Sequence, residues 1–483
     1  MNYTGKGNRI RFLEWLPAAL AVLAFAGCAV GPDYVPADVS MPEAWHTELR
    51  EYWNGGQSDP QTLASWWTRL NDPILSSLVE RAVAGNLDLK EARSRVREAR
   101  ARRGGSRGGL FPTIDASGSL TRRRGSESTG SGNETDLYST GLDAGWELDL
   151  FGGVRRSVEA ADADLQASSE GLRNVLVSLL AEVALNYVEV RTYQARLAVA
   201  EANLDAQQET YRLNWSRYQA GLIDDLAVQQ ARYNLENTRS QIPTFRTGLE
   251  GAKNRLAVLL GERPGAVHAE LEKPSPIPVA PVQIAVGVPA DILRRRPDVR
   301  QAERDLAAQT ARVGVATADL YPKFSLLGSI GLEALSLDNL FLAGSRTYRF
   351  GPHISWPIFD AGTIRSNIEA QSALQEQALI RYEFAILTAL EEVENALVVY
   401  AEEQCRRESL SEATQAATQA AELAMNQYQA GLIGFNDVLD AQRSLFSFQE
   451  KLAESDGAVT SNLVRLYKAL GGGWVCLTPD TTK

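Results

Sequence analysis

The chain has 483 residues, enough for two to four ordinary domains, and its 49 Lys and Arg against 60 Asp and Glu give a formal charge of −11. An acidic chain of this kind lacks the basic surface that nucleic-acid binding needs. Its three histidines (His46, His268, His353) and three cysteines (Cys28, Cys405, Cys476) show no metal-ligand spacing, so no metal and no cofactor are expected.

The N-terminus reads as a processing segment. Lys6, Arg9 and Arg11 precede an apolar run from Leu16 to Ala26, and Ala26-Gly27-Cys28 closes it in the order of a secretory signal. Residues 1–27 are therefore expected to be removed, which leaves a charge of −13. The Ala-Gly-Cys ending resembles a bacterial lipobox, which implies lipidation at Cys28, and Ala29 after it implies sorting to the outer membrane. Cys405 and Cys476 allow one disulfide, which their spacing does not establish. Residues 28–70, rich in Pro, Gly and Asp, read as an extended arm.

A helical pattern begins at Asn71-Asp72-Pro73, turns strongly charged and fades at Gly104-Gly105. Two runs of period-two alternation follow, the strand signature. Ile114, Ala116, Gly118 and Leu120 form one face of the first. Tyr138, Thr140, Leu142, Ala144, Trp146 and Leu148 form one face of the second, opposite a polar face. Gly153 to Gln219 then contains no proline, and Leu176, Val183, Val190, Leu197, Leu204, Tyr211 and Tyr218 recur every seventh residue, a coiled-coil spacing. The returning helix, Asp224 to Leu260, is expected to kink at Pro243.

All of this occurs twice. Tyr218-Gln-Ala-Gly-Leu-Ile223 recurs as Tyr428-Gln-Ala-Gly-Leu-Ile433, and the same offset of 210 carries Asp88 to Asp298, Trp146 to Trp356, Arg155 to Arg365 and Leu260-Gly261 to Leu470-Gly471. A constant offset marks one unit of structure copied in tandem. The first copy is placed at 71–260, a Pro-rich equatorial linker at 261–296, the second copy at 297–471 and a tail at 472–483. Gly221-Leu222 and Gly431-Leu432 mark the tips of two helical hairpins. The second strand pair alternates likewise, with Tyr348, Phe350, Ile354, Trp356 and Ile358 on one face. Pro352 interrupts it and implies a bulge or an edge strand. The approaching helices are short, so a returning helix of one copy and an approaching helix of the other are expected to stack end to end beside a long helix.

Tyr138 and Trp146, repeated as Tyr348 and Trp356, lie on the apolar face eight residues apart. At ~3.4 Å per residue that spans about 27 Å, the apolar height between the aromatic girdles of an outer-membrane barrel. Four strands cannot close a barrel, so two or three copies of the chain are required.

Several motifs resemble the signatures of TolC-like outer-membrane factors, in particular the lipoprotein branch typified by NodT and OprM. They are Trp66-Trp67, Asn71-Asp72-Pro73, Asn86-Leu87-Asp88-Leu89, Trp146-Glu147-Leu148-Asp149-Leu150-Phe151-Gly152, Arg294-Arg295-Arg296-Pro297-Asp298-Val299, Asp440-Ala441-Gln442-Arg443 and the run Leu466 to Trp474. Gly31-Pro32-Asp33-Tyr34 fits the same branch. The resemblance implies a mixed, predominantly α-helical fold: a periplasmic barrel of long coiled-coil helices, with four strands per chain joining a trimeric twelve-stranded transmembrane β-barrel. It also implies the exit duct of a tripartite efflux or export system, a homotrimer in outer-membrane lipid that meets a periplasmic adaptor and an inner-membrane pump of the RND type.

A duct is not an enzyme, and no nucleophile, phosphate loop or acid/base constellation stands out. A periplasmic coiled-coil scaffold would fit the heptads but not the aromatic-bounded strands, and a passive porin would not be mainly helical. The copies differ where a duct would be constricted. Leu226, Gln230 and Tyr233 become Asn436, Asp440 and Arg443, which share one helix face and are the candidate periplasmic gate. Arg443 or a neighbouring hairpin would have to offset the Asp440 charges.

Overall fold

The computed structural model describes residues 29–37, 42, 44–47, 53–54, 63–130, 132–279, 284–285, 289 and 293–474. In chain order, a short strand β1 (Trp53–Asn54) is followed by helices α1 (Pro73–Gly85) and α2 (Leu87–Gly108), strands β2 (Thr113–Arg124) and β3 (Glu134–Leu148), and helices α3 (Gly153–Gln219) and α4 (Asp225–Leu259). After a short strand β4 (Ile284–Ala285) come α5 (Pro297–Ala318), β5 (Lys323–Ala334), β6 (Arg346–Ser355), α6 (Thr363–Gln429) and α7 (Phe435–Ala469). The offset of 210 relates α2 to α5, β2 to β5, α3 to α6 and α4 to α7 at both ends of each element. The long helices have 67 residues each, as the sequence indicates.

The chain divides into two compact units. One holds Met1–Asp38, Arg95–Ser169 and Gln301–Glu383, and the other holds Val39–Ser94, Glu170–Arg300 and Phe384–Lys483.

The second unit is helical. Asp72 caps α1 by accepting from the N–H groups of Ile74 (2.9 Å) and Leu75 (3.1 Å), and Pro73 sits where no N–H is required. The α1 side chains Leu75, Leu78 and Val79 are buried with Leu180, Val183 and Tyr187 of α3, Leu256 of α4 and Leu463 and Val464 of α7. Trp66 stacks on Tyr467 at 5.5 Å beside this core. Through it runs a polar thread: the Tyr187 hydroxyl donates to Asp72 (2.5 Å), while the fully buried Arg191 donates to Tyr187, to Gln194 and to the Lys273 carbonyl. A buried guanidinium is tolerated only when its donors are met in this way. In the same unit β1 and β4 form a parallel pair.

The first unit carries an antiparallel sheet of order β2-β3-β5-β6. Its register brings every apolar face to the same side. Ile114 pairs with Ala144, Ala144 with Gly328 and Gly328 with Phe350; Ala116, Leu142, Ile330 and Tyr348 form the adjacent row. The opposite side carries Asp115, Ser117, Asp143, Ser329 and Arg349. Gly141 and Gly331 face each other there, and a Cβ on either would stand within 3 Å of the partner strand's carbonyl oxygen. β6 is an edge strand and runs through Pro352 without interruption, as an edge allows.

Four expectations change. The first helical pattern is broken at Asn86, a buried residue whose Oδ1 caps α2 at Leu89 N–H while its Nδ2 donates to the Leu259 carbonyl. The helix then continues past Gly104-Gly105 to Gly108. Trp356 and Ile358 fall beyond β6, because Pro357 cannot donate to a ladder. The end-to-end joints lie within each copy: Asn86 meets the end of α4, and Arg296 donates to the Ala469 carbonyl (2.9 Å) at the end of α7. These two joints are related by the same offset of 210. The α4 helix, for its part, is one continuous element through Pro243.

Candidate functional site

Each long helix ends in the same reversal. Gly221 and Gly431 take positive φ (+69° and +77°), Gly221 N–H donates to Tyr218 and Leu222 N–H to Arg217, and Gly431 and Leu432 repeat this onto Tyr428 and Gln427. This is a Schellman closure, which answers the last carbonyls of a helix and suits glycine because a Cβ strains the left-handed region. The residues after the glycines, Leu222 and Leu432, are 71% and 75% exposed.

The two tips differ in their partners. Arg217 of the first copy donates to the Tyr428 (3.1 Å) and Gln429 (2.9 Å) carbonyls of the second and stacks on the Tyr428 ring at 4.6 Å. The Tyr428 hydroxyl donates to Asn214 at 2.9 Å and is buried, whereas its counterpart Tyr218 is exposed beside Trp215. A guanidinium on helix-terminal carbonyls complements the negative end of the helix dipole. This clamp was not anticipated, although the offset gives its signal: Arg217 stands where the second copy has Gln427.

Asn436, Asp440 and Arg443 lie on the exposed side of α7, opposite the buried Phe435, Val438 and Leu439. Arg443 turns to α4, donating to Asn234 (3.2 Å) and stacking on Tyr233 (4.9 Å). Asp440 makes no hydrogen bond or ion pair among the described residues, so its charge is not offset by Arg443. Asp437, one turn earlier, is a second exposed carboxylate on this segment.

Of the four aromatic residues, the two tryptophans are placed by bonds to the backbone. The indole N–H groups of Trp146, in β3, and Trp356, just past β6, donate to the Leu110 and Leu320 carbonyls, each at 3.0 Å, in the turn that follows each copy's approaching helix. Tyr138 is half-buried and Tyr348 is 87% exposed on the apolar face.

Cys28 and Cys476 lie outside the described residues. The arm after Cys28 is held tightly: Val30 N–H donates to Phe151, and the buried Arg156 donates to the Val30 (3.2 Å) and Gly31 (3.4 Å) carbonyls and to Asp33 (2.6 Å). Further along, the Tyr34 hydroxyl donates to Glu303 at 3.0 Å, and burial together with that carboxylate raises its pKa. Among the described residues no group of three or more His, Cys, Asp or Glu side chains is placed to hold a metal, and no helix is long and apolar enough to cross a membrane.

Comparison with known proteins gives a family. The model for outer membrane efflux proteins matches residues 78–262 and again 288–472. Nodulation protein T of Rhizobium leguminosarum bv. trifolii is 33% identical over 96% of this chain and 98% of its own length. The solvent efflux pump outer membrane protein SrpC of Pseudomonas putida is 35% identical over 94% and 97%. Among solved structures, the outer-membrane channel OprN matches with a TM-score of 0.87 and 36% identity, covering 92% of this chain and all of that one. The open-state MtrE channel of Neisseria gonorrhoeae matches with a TM-score of 0.79 and 30% identity, covering 92% and 99%. The tandem repeat, the four-stranded sheet with one apolar face and the paired long helices are thus the features of a known architecture, and this chain belongs to the outer membrane efflux protein family.

Proposed function

We propose that three copies of the chain close a twelve-stranded barrel in the outer membrane and form the exit duct of a tripartite efflux system. In this reading a periplasmic adaptor docks at the hairpin tips and an inner-membrane pump of the RND type loads the duct. The observation that carries it is the sheet. One face is apolar along all four strands, while β2 and β6 remain edge strands, and lipid does not tolerate open edges. Joining β6 of one copy to β2 of the next removes both.

The same reading gives roles to the other sites. Tyr138, Trp146, Tyr348 and Trp356 bound the apolar band. Exposed Leu222 and Leu432, presented by Gly221 and Gly431, are the apolar points that an adaptor would cover. The arm clamp holds Val30 against Phe151 in the turn after β3, and an acyl chain on Cys28 would anchor the arm to the outer membrane. Cys28→Ser should abolish acyl labelling.

Asn436, Asp440 and Arg443 form the gate, with the Asp440 carboxylates of three copies facing one another near the axis and the Arg443–Tyr233 contact holding the helix in place. The test is single-channel recording of the purified protein in planar bilayers. The Asp440→Ala/Arg443→Ala double variant should conduct better than wild type. Unchanged conductance and ion selectivity would remove the gate assignment, and a purified protein with no threefold mass would remove the barrel.

A further inference from the structure

In the second unit, towards the hairpin tips, α3, α6 and α7 line a cavity of about 640 Å³, the size of a small-molecule site. Leu213, Met425 and Leu445 contribute apolar surface to it. Among the described residues no Lys, Arg or His lines it, whereas two carboxylates do, Glu209 of α3 and Glu422 of α6. Both are exposed, and neither makes a hydrogen bond or ion pair among the described residues.

The α3 side of the cavity is polar, and its donors are already spent. The Thr210 hydroxyl donates to the Ala206 carbonyl (3.0 Å) and accepts from the Gln442 amide (3.0 Å). The Asn203 amide donates to the Val199 carbonyl (2.9 Å) and to Gln449 (2.7 Å). Gln207, one turn from each along the same helix, is only 4% exposed, and its amide oxygen has no partner. A buried acceptor left unmet is costly, and the terminal torsion of a glutamine is soft, so this oxygen can turn to an N–H group that enters the cavity. The chemistry is not inherited from the repeat. At the offset of 210, Gln207, Glu209 and Thr210 correspond to Ala417, Gln419 and Ala420, while Glu422 and Gln442 correspond to Arg212 and Arg232.

We propose that this cavity binds a small organic ammonium ion. Its apolar body rests on Leu213, Met425 and Leu445, the Glu209 and Glu422 carboxylates draw in the charge, and Gln207 accepts an N–H group. Carboxylates without partners and an acceptor without a donor select a cation that carries N–H groups, and the apolar surface selects an organic body over a hydrated metal ion. Gln429, which also lines the cavity, gives its carbonyl to Arg217 at 2.9 Å. An occupant therefore braces the same two helices, α3 and α6, that the Arg217 clamp joins. The site lies within one chain and does not depend on the trimer.

The test uses the full-length protein purified in non-ionic detergent. Adamantylammonium is the probe, and adamantanol, an uncharged analogue of nearly the same shape, is the control. Calorimetric titration should show saturable binding of the ammonium and about tenfold weaker binding of the alcohol. Glu209→Gln/Glu422→Gln should weaken the ammonium about tenfold and remove the salt dependence of its affinity. Gln207→Leu should weaken it about threefold. The replaced side chains hold no partner among the described residues, so the unliganded variants should melt with wild type. Adding the ammonium should raise the melting temperature of wild type more than that of either variant. No saturable binding to wild type, equal affinities for the ammonium and the alcohol, or unchanged affinity in the variants would each overturn the inference.

Discussion

The two copies agree in the geometry of their turns and in one tryptophan bond, and differ in several long-range side-chain pairings. Both long helices end on a left-handed glycine with the same pair of closing bonds, and Trp146 and Trp356 donate to equivalent carbonyls. By contrast, the joint that is Asn86 in the first copy is Arg296 in the second, and the tip that holds Arg217 in the first holds Gln427 in the second. Local closure tolerates few residue types, so it persists through duplication, whereas several long-range pairings differ between the copies.

The joint gives the largest test of this difference. Arg296 is buried and bonds Asp298, Glu392 (2.6 Å) and the Ala469 carbonyl, whereas Asn86 makes two neutral bonds. Arg296→Ala should cost about 3 kcal/mol by stranding Asp298, against about 1–2 kcal/mol for Asn86→Ala. Denaturant titration of the detergent-solubilised protein measures both, and equal losses would erase the distinction between the joints.

Valine at Gly221 or Gly431 should destabilise each tip by about 1–2 kcal/mol, because neither site is crowded and only the left-handed backbone objects. Thermal melting should give equal shifts for the two. A difference larger than about 1 kcal/mol would mean that the tips are not equivalent in backbone.

Arg217→Ala removes two carbonyl bonds and a ring contact from a partly exposed clamp, for about 1 kcal/mol. It should raise channel conductance, while Gln427→Arg, its counterpart, should leave conductance unchanged. Equal responses would show that the tips do not differ in function. Phe in place of Trp146 or Trp356 should cost about 1 kcal/mol each and alike, since each loses one indole donor and leaves one carbonyl unmet.

The smallest effect is in pH. Burial alone would raise the Asp298 carboxyl, but the Arg296 guanidinium wins and holds it below its ordinary 3.8. A carboxylate depressed in the folded state adds stability above its unfolded value and loses it as pH falls through the folded one. Stability should therefore drop below about pH 3.8 in wild type and less steeply in Asp298→Asn.

Much of this was legible in the residues. Glycine punctuation marked both ends of α3, and period two identified the apolar face of each strand. What was not legible depended on distant partners. The break at Asn86 exists because its amide finds the Leu259 carbonyl, which no local window contains. The α2 helix passes Gly104-Gly105 despite their low propensity, a tertiary override of local preference. Joints within a copy could not be told from joints between copies by helix lengths alone, since both arrangements span the same distance. At the candidate gate, the positions came from the repeat offset, but the turn of Arg443 toward Tyr233 depends on α4 lying beside α7.

The joint within each copy also bears on symmetry. Each returning helix ends against the approaching helix of its own copy, while the buried core joins the copies, with Leu75 and Leu78 of α1 in one cluster with Leu463 and Val464 of α7. Six identical halves around one axis would have a single kind of seam, and every mutation in it would be repeated six times. In the proposed ring of three chains, fusing two halves splits that seam into an intrachain and an interchain class. Residues in one class can then change without disturbing the other, as the eight basic side chains of α2 against the three of α5 illustrate.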